Sequence, residues 1–549
     1  MRLANDATHE VTNQPPPLVG YDAWSGDRVL VAAAKRAQAG WIGAEAAAMG
    51  RLVGSERMQT LADQANRNGP VLKTHDRFGH RIDAVEFHPA YHELMGLAFG
   101  AGLHSLAWTA KREGAFAARA ALNYLWNQGE QGISCPVTMT FAGVQVLRNA
   151  PKLAAEWEPK LTAAAYDPRP LPIAQKAGAA IGMAMTEKQG GSDLRSNSTV
   201  ALRDGDAFLL TGHKWFCSAP MCDAFLALAR LDDRVTCFLV PRSIEVGSAT
   251  GLRNPFYIQR LKDKIGNRSN ASSEIEFRNT RAFLVGPEGR GIATLIEMAH
   301  LTRFDIVVAS AGMMRAGLTQ ALHHCAHRAA FGRRLEEHAA MQNVLADLAL
   351  ESEAATLLAF RLAEAFDRGA ADENERLLAR IMTPVAKYWL CKRNPVFTTE
   401  AMECLGGNGF TEDGPFGRLF RESPLNGIWE GSGNVICLDV LRSAEREPES
   451  VAALLKEIGG APANPHLKAM LGRLQNEFAD RSRPESRARR LVELAATALQ
   501  ASLMLRHSDA AAAEAFCASR LGGDWGHVLG TLPAATDCAA LAERLRLAA

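Results

Sequence analysis

The chain has 549 residues, 47% hydrophobic and 22% charged, which suits about three or four folded domains and excludes a disordered protein. Its 61 Lys and Arg residues balance 60 Asp and Glu residues to a net charge of +1, which excludes a global field that attracts nucleic acid or membrane. Ten scattered cysteines without a Cys-x-x-Cys pair argue against a zinc ribbon or a disulfide framework. Residues 1–17 are polar, and no apolar run approaches the ~18 residues of a membrane span, so we expect a cytoplasmic protein.

Residues 1–180 are predicted to form an N-terminal helical domain. Ala-rich stretches with helical periodicity, such as 28–49 and 91–103, are separated by Gly54 and by the turn at 68–70. This pattern predicts a domain built from helices alone.

Residues 181–286 change to a period of two, which predicts an antiparallel β domain. The segments 198–202 and 207–211 flank Asp204-Gly205, a strong hairpin signal, and a similar pair flanks Asp232-Asp233. Residues 271–277 alternate apolar with small or polar side chains, as a half-buried strand does.

Helical periodicity returns after this and is predicted to build two further units. In residues 287–445, long helices are predicted at 291–327, 341–367 and 374–405, and a short helix after Gly433 supplies a fourth member of a bundle. Residues 446–549 are predicted to form a separate Ala/Leu/Arg-rich helical segment.

Five short motifs carry the chemistry. The turn at 186–193 contains Gly190-Gly191, which lets a ligand approach the backbone, but it matches neither a P-loop nor a dinucleotide-binding fingerprint, and alone it is more often just a turn. The others are Lys214–Ser218 as KWFCS, 328–332 as RAAFG with Gln342, 405–410 as LGGNGF, and 428–434 as IWEGSGN.

These motifs, in this order across the three units, resemble the acyl-CoA dehydrogenase flavoproteins over roughly residues 150–442. The segments 186–193, 260–274 and 428–442 are similar to the AidB-like branch of that family, which belongs to the response to DNA alkylation. The resemblance implies an α+β multidomain fold in which an antiparallel β-barrel lies between the N-terminal helical domain and a four-helix bundle. It also implies that the C-terminal segment is an extra helical, DNA-binding-like unit.

The resemblance implies FAD as cofactor. Thr186 and Ser218 match hydroxyls that face the flavin, and the backbone of Met185 contributes to the same contact. At the position of Ser218 the family more often has threonine. Trp215 or Phe216 would form a wall of the flavin site. The other implied FAD contacts are Gly191, Ser192, Arg328, Phe331, Gln342, Gly406, Gly407, Trp429, Ser432 and Asn434. Because Arg328, Gln342, Gly406 and Gly407 match positions that reach across a subunit boundary, a homo-oligomer is expected, with a tetramer favoured.

Glu430 matches the catalytic base of the family, which removes an α-proton from an acyl-CoA while the β-hydrogen leaves as hydride to the flavin. Such a base needs partial desolvation to raise its pKa toward the working pH. Some members place the base on the long helix instead, and this chain has Thr302 at that position. Without the family context, a glutamate in a Trp-Glu-Gly turn would be interpreted as a solvated loop residue.

The resemblance implies nonspecific binding of double-stranded DNA through an arginine cluster in the C-terminal segment, and no motif for reading bases accompanies the cluster. The alternative is a solvated helix face balanced by Glu485 and Glu493. The cluster comprises Arg481, Arg483, Arg487, Arg489 and Arg490.

Other candidates are weaker, and three functional hypotheses stay open. No metal site is predicted at His323, His324 and His327, and Cys217 and Cys222 are expected to be buried and unreactive. The main hypothesis is an AidB-type, FAD-dependent acyl-CoA dehydrogenase that also binds DNA. The alternatives are an ordinary short- or branched-chain acyl-CoA dehydrogenase without DNA binding, and flavin-dependent detoxification of alkylating agents.

Overall fold

The computed structural model describes residues 8–246, 249–480 and 482–547, so Arg481 of the predicted arginine cluster lies outside the described residues. The predicted order of helical region, β region and long helices is confirmed. The N-terminal helices are α1 (Arg28–Arg36), α2 (Gly43–Val53), α3 (Glu56–Arg67), α4 (Pro89–Gly100), α5 (Leu106–Thr109), α6 (Ala115–Gly129), α7 (Ser134–Leu147) and α8 (Pro151–Leu161). Since α6 and α7 are buried around almost their whole circumference, they lie inside the molecule.

The N-terminal region differs from the prediction of helices alone by one hairpin, β1 (Val71–His75) and β2 (Arg81–Glu86). Asp76 closes its turn by accepting hydrogen bonds from the backbone N–H groups of Phe78 and His80. The strands are largely exposed or half-buried, so they lack the apolar alternation that identifies a strand in a sequence.

The central region is a seven-stranded sheet with a separate two-stranded pair, β8–β9. Its order is β10-β11-β5-β4-β6-β3, and β7 pairs with both β11 and β6. The strands are β3 (Ile181–Ala184), β4 (Val200–Asp204), β5 (Ala207–Ser218), β6 (Ala224–Leu231), β7 (Arg234–Pro241), β8 (Ser243–Val246), β9 (Ala249–Arg253), β10 (Phe256–Leu261) and β11 (Ser272–Leu284).

Two predictions about this sheet were wrong in detail. The sheet is mixed, because β3 enters from the helical region without a hairpin and pairs with β6 in parallel. The strand predicted at 271–277 is instead the thirteen-residue β11. Its register against β5 shifts between Ser273 and Ile275 and again between Arg278 and Thr280, which breaks the alternation that would have revealed the second half.

The long helices lie close to their predicted positions. They are α9 (Gly291–His327), α10 (Ala339–Arg368), α11 (Glu373–Glu403) and α13 (Gly433–Arg446), with α12 (Phe416–Glu422) between the last two. A small hairpin, β12 (Ala329–Ala330) and β13 (Arg333–Arg334), joins α9 to α10. Within the described residues, no helix has the length and apolarity needed to cross a bilayer.

The sequence suggested that the C-terminal helices form a separate segment, but in the structure they pack on the bundle. They are α14 (Pro448–Gly459), α15 (Pro465–Ala479), α16 (Pro484–His507), α17 (Ala510–Phe516) and α18 (Cys538–Arg544). Trp389 of α11 donates from its indole nitrogen to Gln500 of α16 over 2.8 Å. Arg361 of α10 forms an ion pair with Glu457 of α14 over 2.9 Å. The helix α16 is therefore buried over most of its length, through contacts that include the long helices.

Candidate functional site

A cavity of about 530 Å³ lies where the sheet meets α6, α7, α9 and the turn before α13. Much of its lining is apolar, with side chains such as Met183, Leu295 and Ile306. Polar groups from several elements interrupt this lining, among them Glu430. An apolar cavity with a few placed polar groups is the usual form of a small-molecule site.

The turn that carries Glu430 is strained. Glu430 has φ 56° and Gly431 has φ 109°, so the chain passes through left-handed conformations just before α13 begins at Gly433. A glutamate in this region costs about 1–3 kcal/mol unless its surroundings fix it, and such strain concentrates at functional sites. The turn is therefore held by contacts outside itself.

Two cations from the bundle hold that turn through its backbone. Arg303 of α9 donates from Nε to the Glu430 carbonyl over 2.9 Å, and it also pairs with Asp439 over 2.8 Å. Lys387 of α11 donates from Nζ to the carbonyls of Trp429 (3.0 Å) and Gly431 (2.6 Å). These contacts fix the backbone and leave the Glu430 carboxylate directed at the cavity.

The Glu430 carboxylate is poised to accept a proton. Its Oε2 atom is buried and lacks a hydrogen-bond partner among the described residues. Burial raises the pKa of Glu430, and the charges of Arg303 and Lys387 and the hydroxyl of Thr302 oppose part of that rise. A buried carboxylate with one unsatisfied oxygen and a raised pKa fits the role of a general base.

The sheet contributes the wall on which the flavin was predicted to lie. Thr186 follows β3, and its carbonyl accepts a hydrogen bond from the backbone N–H of Trp215 over 2.9 Å. Asn197 donates to the Met185 carbonyl over 2.9 Å, so both residues are anchored through their backbones. The Thr186 hydroxyl is buried without a partner in the described part of the chain. Met185, Thr186, Gly191 and Ser192, which were predicted to contact FAD, all line the cavity.

Only one of the two aromatic residues predicted to wall the flavin site lines the cavity. Phe216 lines the cavity and is 51% exposed, and Ser218 lines it beside Ser272, with 3.3 Å between their hydroxyl oxygens. Trp215 is absent from the cavity lining and packs under Lys262, whose Nζ lies 3.2 Å from the centre of the indole ring. Phe216 is therefore the aromatic residue available to a flavin ring.

Of the three other motif residues predicted to contact FAD around Glu430, two line the cavity and one does not. Trp429 and Ser432 line the cavity, whereas Asn434 is exposed in the first turn of α13 and is absent from the lining. Trp429 is fixed by a hydrogen bond from its indole nitrogen to Asn426 over 3.0 Å.

The predicted contacts Arg328, Phe331, Gln342, Gly406 and Gly407 lie outside this cavity. The N-terminal segment contacts two of the regions that carry these residues. The Asn13 carbonyl accepts a hydrogen bond from Arg328 over 2.6 Å, and Gln14 contacts Asn408, the neighbour of Gly407, over 3.2 Å. Phe331 occupies the β12–β13 turn with φ 53° and is 98% exposed. A strained backbone that carries an aromatic side chain in full contact with solvent is typical of a surface that another molecule covers.

The described arginines of the C-terminal cluster have different surroundings. Arg487 pairs with Glu477 over 2.7 Å and with Asp480 over 3.0 Å, so its charge is largely compensated. Arg489 donates to the Tyr388 hydroxyl over 3.0 Å. Arg483, Arg489 and Arg490 are exposed at the start of α16.

Several cavity residues were missed by sequence reasoning. Asp305 of α9 lines the cavity one turn after Thr302 and is buried in a two-pronged ion pair with Arg119 of α6, the longer contact being 2.7 Å. Its signal was a charge within a long apolar helix. Lys264, Asn267 and Glu422 also line the cavity, although nothing in their local sequence marks them as buried.

The histidine and cysteine candidates have structural surroundings. His323 contacts the Pro16 carbonyl over 2.8 Å, and His327 contacts the His323 carbonyl over 2.8 Å. The described residues contain no cluster of three or more His, Cys, Asp or Glu that could hold a metal ion. Cys217 and Cys222 are buried, and burial raises the pKa of both thiols, which makes them poor nucleophiles.

Three family models match consecutive parts of the chain. The model described as "Adaptive response protein AidB N-terminal domain" matches residues 13–168. "Acyl-CoA dehydrogenase, middle domain" matches residues 182–280, and "Acyl-CoA dehydrogenase, C-terminal domain" matches residues 289–445.

Individual relatives agree with these matches. The putative acyl-CoA dehydrogenase AidB of Escherichia coli (strain K12) is 46% identical over 444 residues, which is 80% of this chain and 81% of that protein. Acyl-CoA dehydrogenase family member 11 of Caenorhabditis elegans is 30% identical over 73% of this chain and 66% of its own length. The crystal structure of Caenorhabditis elegans ACDH-11 in complex with C11-CoA superposes with a TM-score of 0.84 at 25% identity, covering 95% of this chain and 94% of that one.

Proposed function

This chain belongs to the acyl-CoA dehydrogenase family of FAD-dependent oxidoreductases, as an AidB-like member, and from that premise we propose that it oxidises an acyl-CoA with Glu430 as the base. The observation that carries the proposal is the Glu430 carboxylate, which faces a largely apolar cavity with its Oε2 buried and unsatisfied. The C11-CoA bound to the related ACDH-11 supports an acyl-CoA as the substrate class.

In the proposed reaction, Glu430 takes the proton from the carbon next to the thioester carbonyl. Bound FAD would supply the two-electron acceptor that receives the hydrogen of the neighbouring carbon with its electron pair. Arg303 holds the Glu430 carbonyl and Lys387 holds the carbonyls of the residues before and after it, so the carboxylate needs little rearrangement to reach that proton. The apolar lining excludes water and keeps the carboxylate basic enough for the transfer.

The cavity residues also suit the flavin. The Thr186 hydroxyl is buried without a partner in the described part of the chain, and a flavin ring nitrogen or oxygen would satisfy it. Thr186, Ser218 and the Met185 backbone would hold the ring beside Phe216, Trp429 and Ser432. Gly191 and Ser192 would hold the pyrophosphate.

We propose a homo-oligomer, with a tetramer favoured, in which a second chain completes each FAD site. Arg328, Phe331, Gln342, Gly406 and Gly407 lie outside the cavity of their own chain, which supports this arrangement. The exposed Phe331 turn then becomes an interface element. Sedimentation of the flavin-loaded protein tests the oligomeric state.

We further propose that the central sheet is the barrel implied by the family resemblance. β7 joins β11 to β6, and a single bridge between Val200 of β4 and Arg230 of β6 completes the circuit of strand pairs.

A cytoplasmic location is also proposed. All ten cysteines fall within the described residues, and all are free thiols, nine of them buried. A reducing compartment keeps such thiols free. Cell fractionation tests this location.

The test of the main function starts with flavin-loaded protein mixed anaerobically with C11-CoA and with acyl-CoAs of shorter and branched chains. The flavin absorbance of the wild type should bleach with at least one ester. Glu430→Gln keeps the shape of the side chain and should bleach about 10²–10⁴-fold more slowly. Equal flavin content in the two proteins is the control, and equal bleaching rates would contradict the role of Glu430.

As a second function, we propose nonspecific binding of double-stranded DNA during the response to alkylation. The match to the adaptive-response AidB domain and the three exposed arginines Arg483, Arg489 and Arg490 support it. Replacing these three with glutamine should weaken DNA binding and flatten its salt dependence, because fewer phosphate-bound counterions are released. Unchanged affinity and salt slope would remove the arginines from this role.

A further inference from the structure

The cavity has a second polar wall that the proposed chemistry does not use. It is formed by α6, the loop between β10 and β11, and the end of α12. We call it the amide wall, and it comprises Asn123, Asn127, Lys264, Asn267 and Glu422. In a cavity that is otherwise lined largely by apolar residues, such polar side chains are the groups that orient a bound molecule.

Specific contacts join the three elements of the amide wall. The backbone N–H of Asn267 donates to a Glu422 carboxylate oxygen over 2.6 Å, which ties the loop to α12. Ser269 of the same loop donates to Glu130, just after α6, over 2.9 Å. The wall is therefore built into the fold.

Two buried atoms of the amide wall lack partners in the described part of the chain. They are Nδ2 of Asn123, a donor, and Oδ1 of Asn267, an acceptor, on residues that are each 3% exposed. The oxygen of the Asn123 amide is already engaged, since Asn127 donates to it over 2.8 Å. Buried amides nearly always find partners, so the wall offers one donor and one acceptor to a cavity occupant.

The charges of the amide wall favour a neutral occupant. Lys264 donates to the Asn270 carbonyl over 2.5 Å and to Ser272 over 3.1 Å, so it is directed toward backbone and hydroxyl oxygens. Burial lowers the pKa of Lys264 to about 8 and raises the pKa of Glu422 to about 7. The wall thus contains one basic and one acidic side chain, and burial disfavours the charged form of both. Its electrostatic field is therefore too weak to favour an ion as the occupant.

We propose that the amide wall binds a neutral group that both donates and accepts hydrogen bonds, such as a hydroxyl or a carboxamide, on the acyl part of the substrate. The preferred substrate is then a hydroxyl- or amide-bearing acyl thioester in place of a plain alkyl one. This inference rests on the proposed function, because it assigns the acyl group to this cavity.

Binding can be measured separately from chemistry in Glu430→Gln, which should bind esters but oxidise them much more slowly than binding equilibrates. The probes are CoA esters of four, six and eight carbons, each as the alkyl, the terminal-hydroxyl and the terminal-carboxamide form. Affinity is read from the perturbation of the flavin absorbance. For at least one chain length, we expect a polar form to bind at least tenfold more tightly than its alkyl counterpart.

Replacing Asn123 and Asn267 with leucine in the same background should abolish that preference while flavin content stays unchanged. Asn149→Leu, which alters an asparagine outside the cavity lining, is the matched control and should keep the preference. Equal affinity for polar and alkyl esters would overturn the inference and assign the free amide atoms to water alone. Loss of flavin in the double variant would also overturn it, by assigning the wall to the cofactor.

The proposed function fails in a different way. If polar esters bind preferentially but the wild type never bleaches with them, the amide wall stands and the dehydrogenation falls. If alkyl esters bleach the flavin and polar esters bind no better, the reverse holds. If no ester binds at all, both proposals are wrong.

Discussion

The Glu430 site and the arginine cluster of α16 use charged side chains in opposite ways. Around Glu430, cations from two bundle helices bind backbone carbonyls and leave one buried carboxylate oxygen unsatisfied. At α16, Arg487 is paired with Glu477 and Asp480, and the other described arginines of the cluster are exposed to solvent. Burial makes an unpaired polar atom costly, whereas solvent compensates an exposed charge at little cost. An unsatisfied buried atom is therefore the stronger indication of a ligand.

The largest expected effect is on the stability of the cavity itself. Arg119→Met leaves Asp305 buried without its cation and should cost about 3–5 kcal/mol, seen as a lower midpoint of thermal or denaturant unfolding. Adding Asp305→Leu should recover much of the loss, because no unpaired charge then remains. If Arg119→Met alone were as stable as the wild type, this ion pair would not be what stabilises the cavity wall.

The next effect concerns the support of the Glu430 turn. Lys387→Met removes the donor to two backbone carbonyls and a charge that lowers the pKa of Glu430. Bleaching by an acyl-CoA should slow by on the order of 10²-fold, since a small misplacement of the base is enough. The pH at which the rate levels off should also rise, and Lys387→Arg should restore part of both. A slower rate with an unchanged pH profile would contradict an effect through Glu430.

The pH dependence of the wild type gives a smaller effect. The base must be ionised, and burial raises the pKa of Glu430, so its ionised fraction grows as the pH rises toward that raised value. The rate constant for bleaching should rise about tenfold per pH unit below it and then level off, with the break above the ordinary value of about 4.3. A break at or below that ordinary value would show a solvated carboxylate.

The smallest effects are expected at α16, and they should separate two neighbouring arginines. Arg487→Gln breaks partly exposed ion pairs and should cost about 1 kcal/mol or less, with little change in DNA affinity. Arg490→Gln should leave stability unchanged and lower the salt slope of DNA binding by about one. If the two variants behave alike in both assays, the distinction drawn from their surroundings is wrong.

The fold was predictable wherever local pattern and burial agree. The bounds of α9 were predicted because its residues are apolar around most of the helix, which marks both ends clearly. The second half of β11 and the β1–β2 hairpin were missed, since bulges and half-exposed strands hide the period of two.

The site was predictable only where its residues lie in motifs. Glu430, Thr186 and Phe216 belong to short motifs of the family resemblance, and the structure brings all three to one cavity. Lys387, Arg119 and Asn267 come from distant elements and look like surface residues in the sequence. Only tertiary packing gives them buried partners, so no local signal could have assigned their roles.

The left-handed conformation of residue 430 also limits which side chains evolution can place there. Glycine, asparagine and aspartate adopt this backbone most readily, but none of them extends as far as glutamate. In a saturation library at this codon, residues that suit the backbone should therefore express well but be inactive. Glutamate should be active although its backbone conformation is less favourable. Selection for soluble yield and selection for turnover would enrich different residues at the same position.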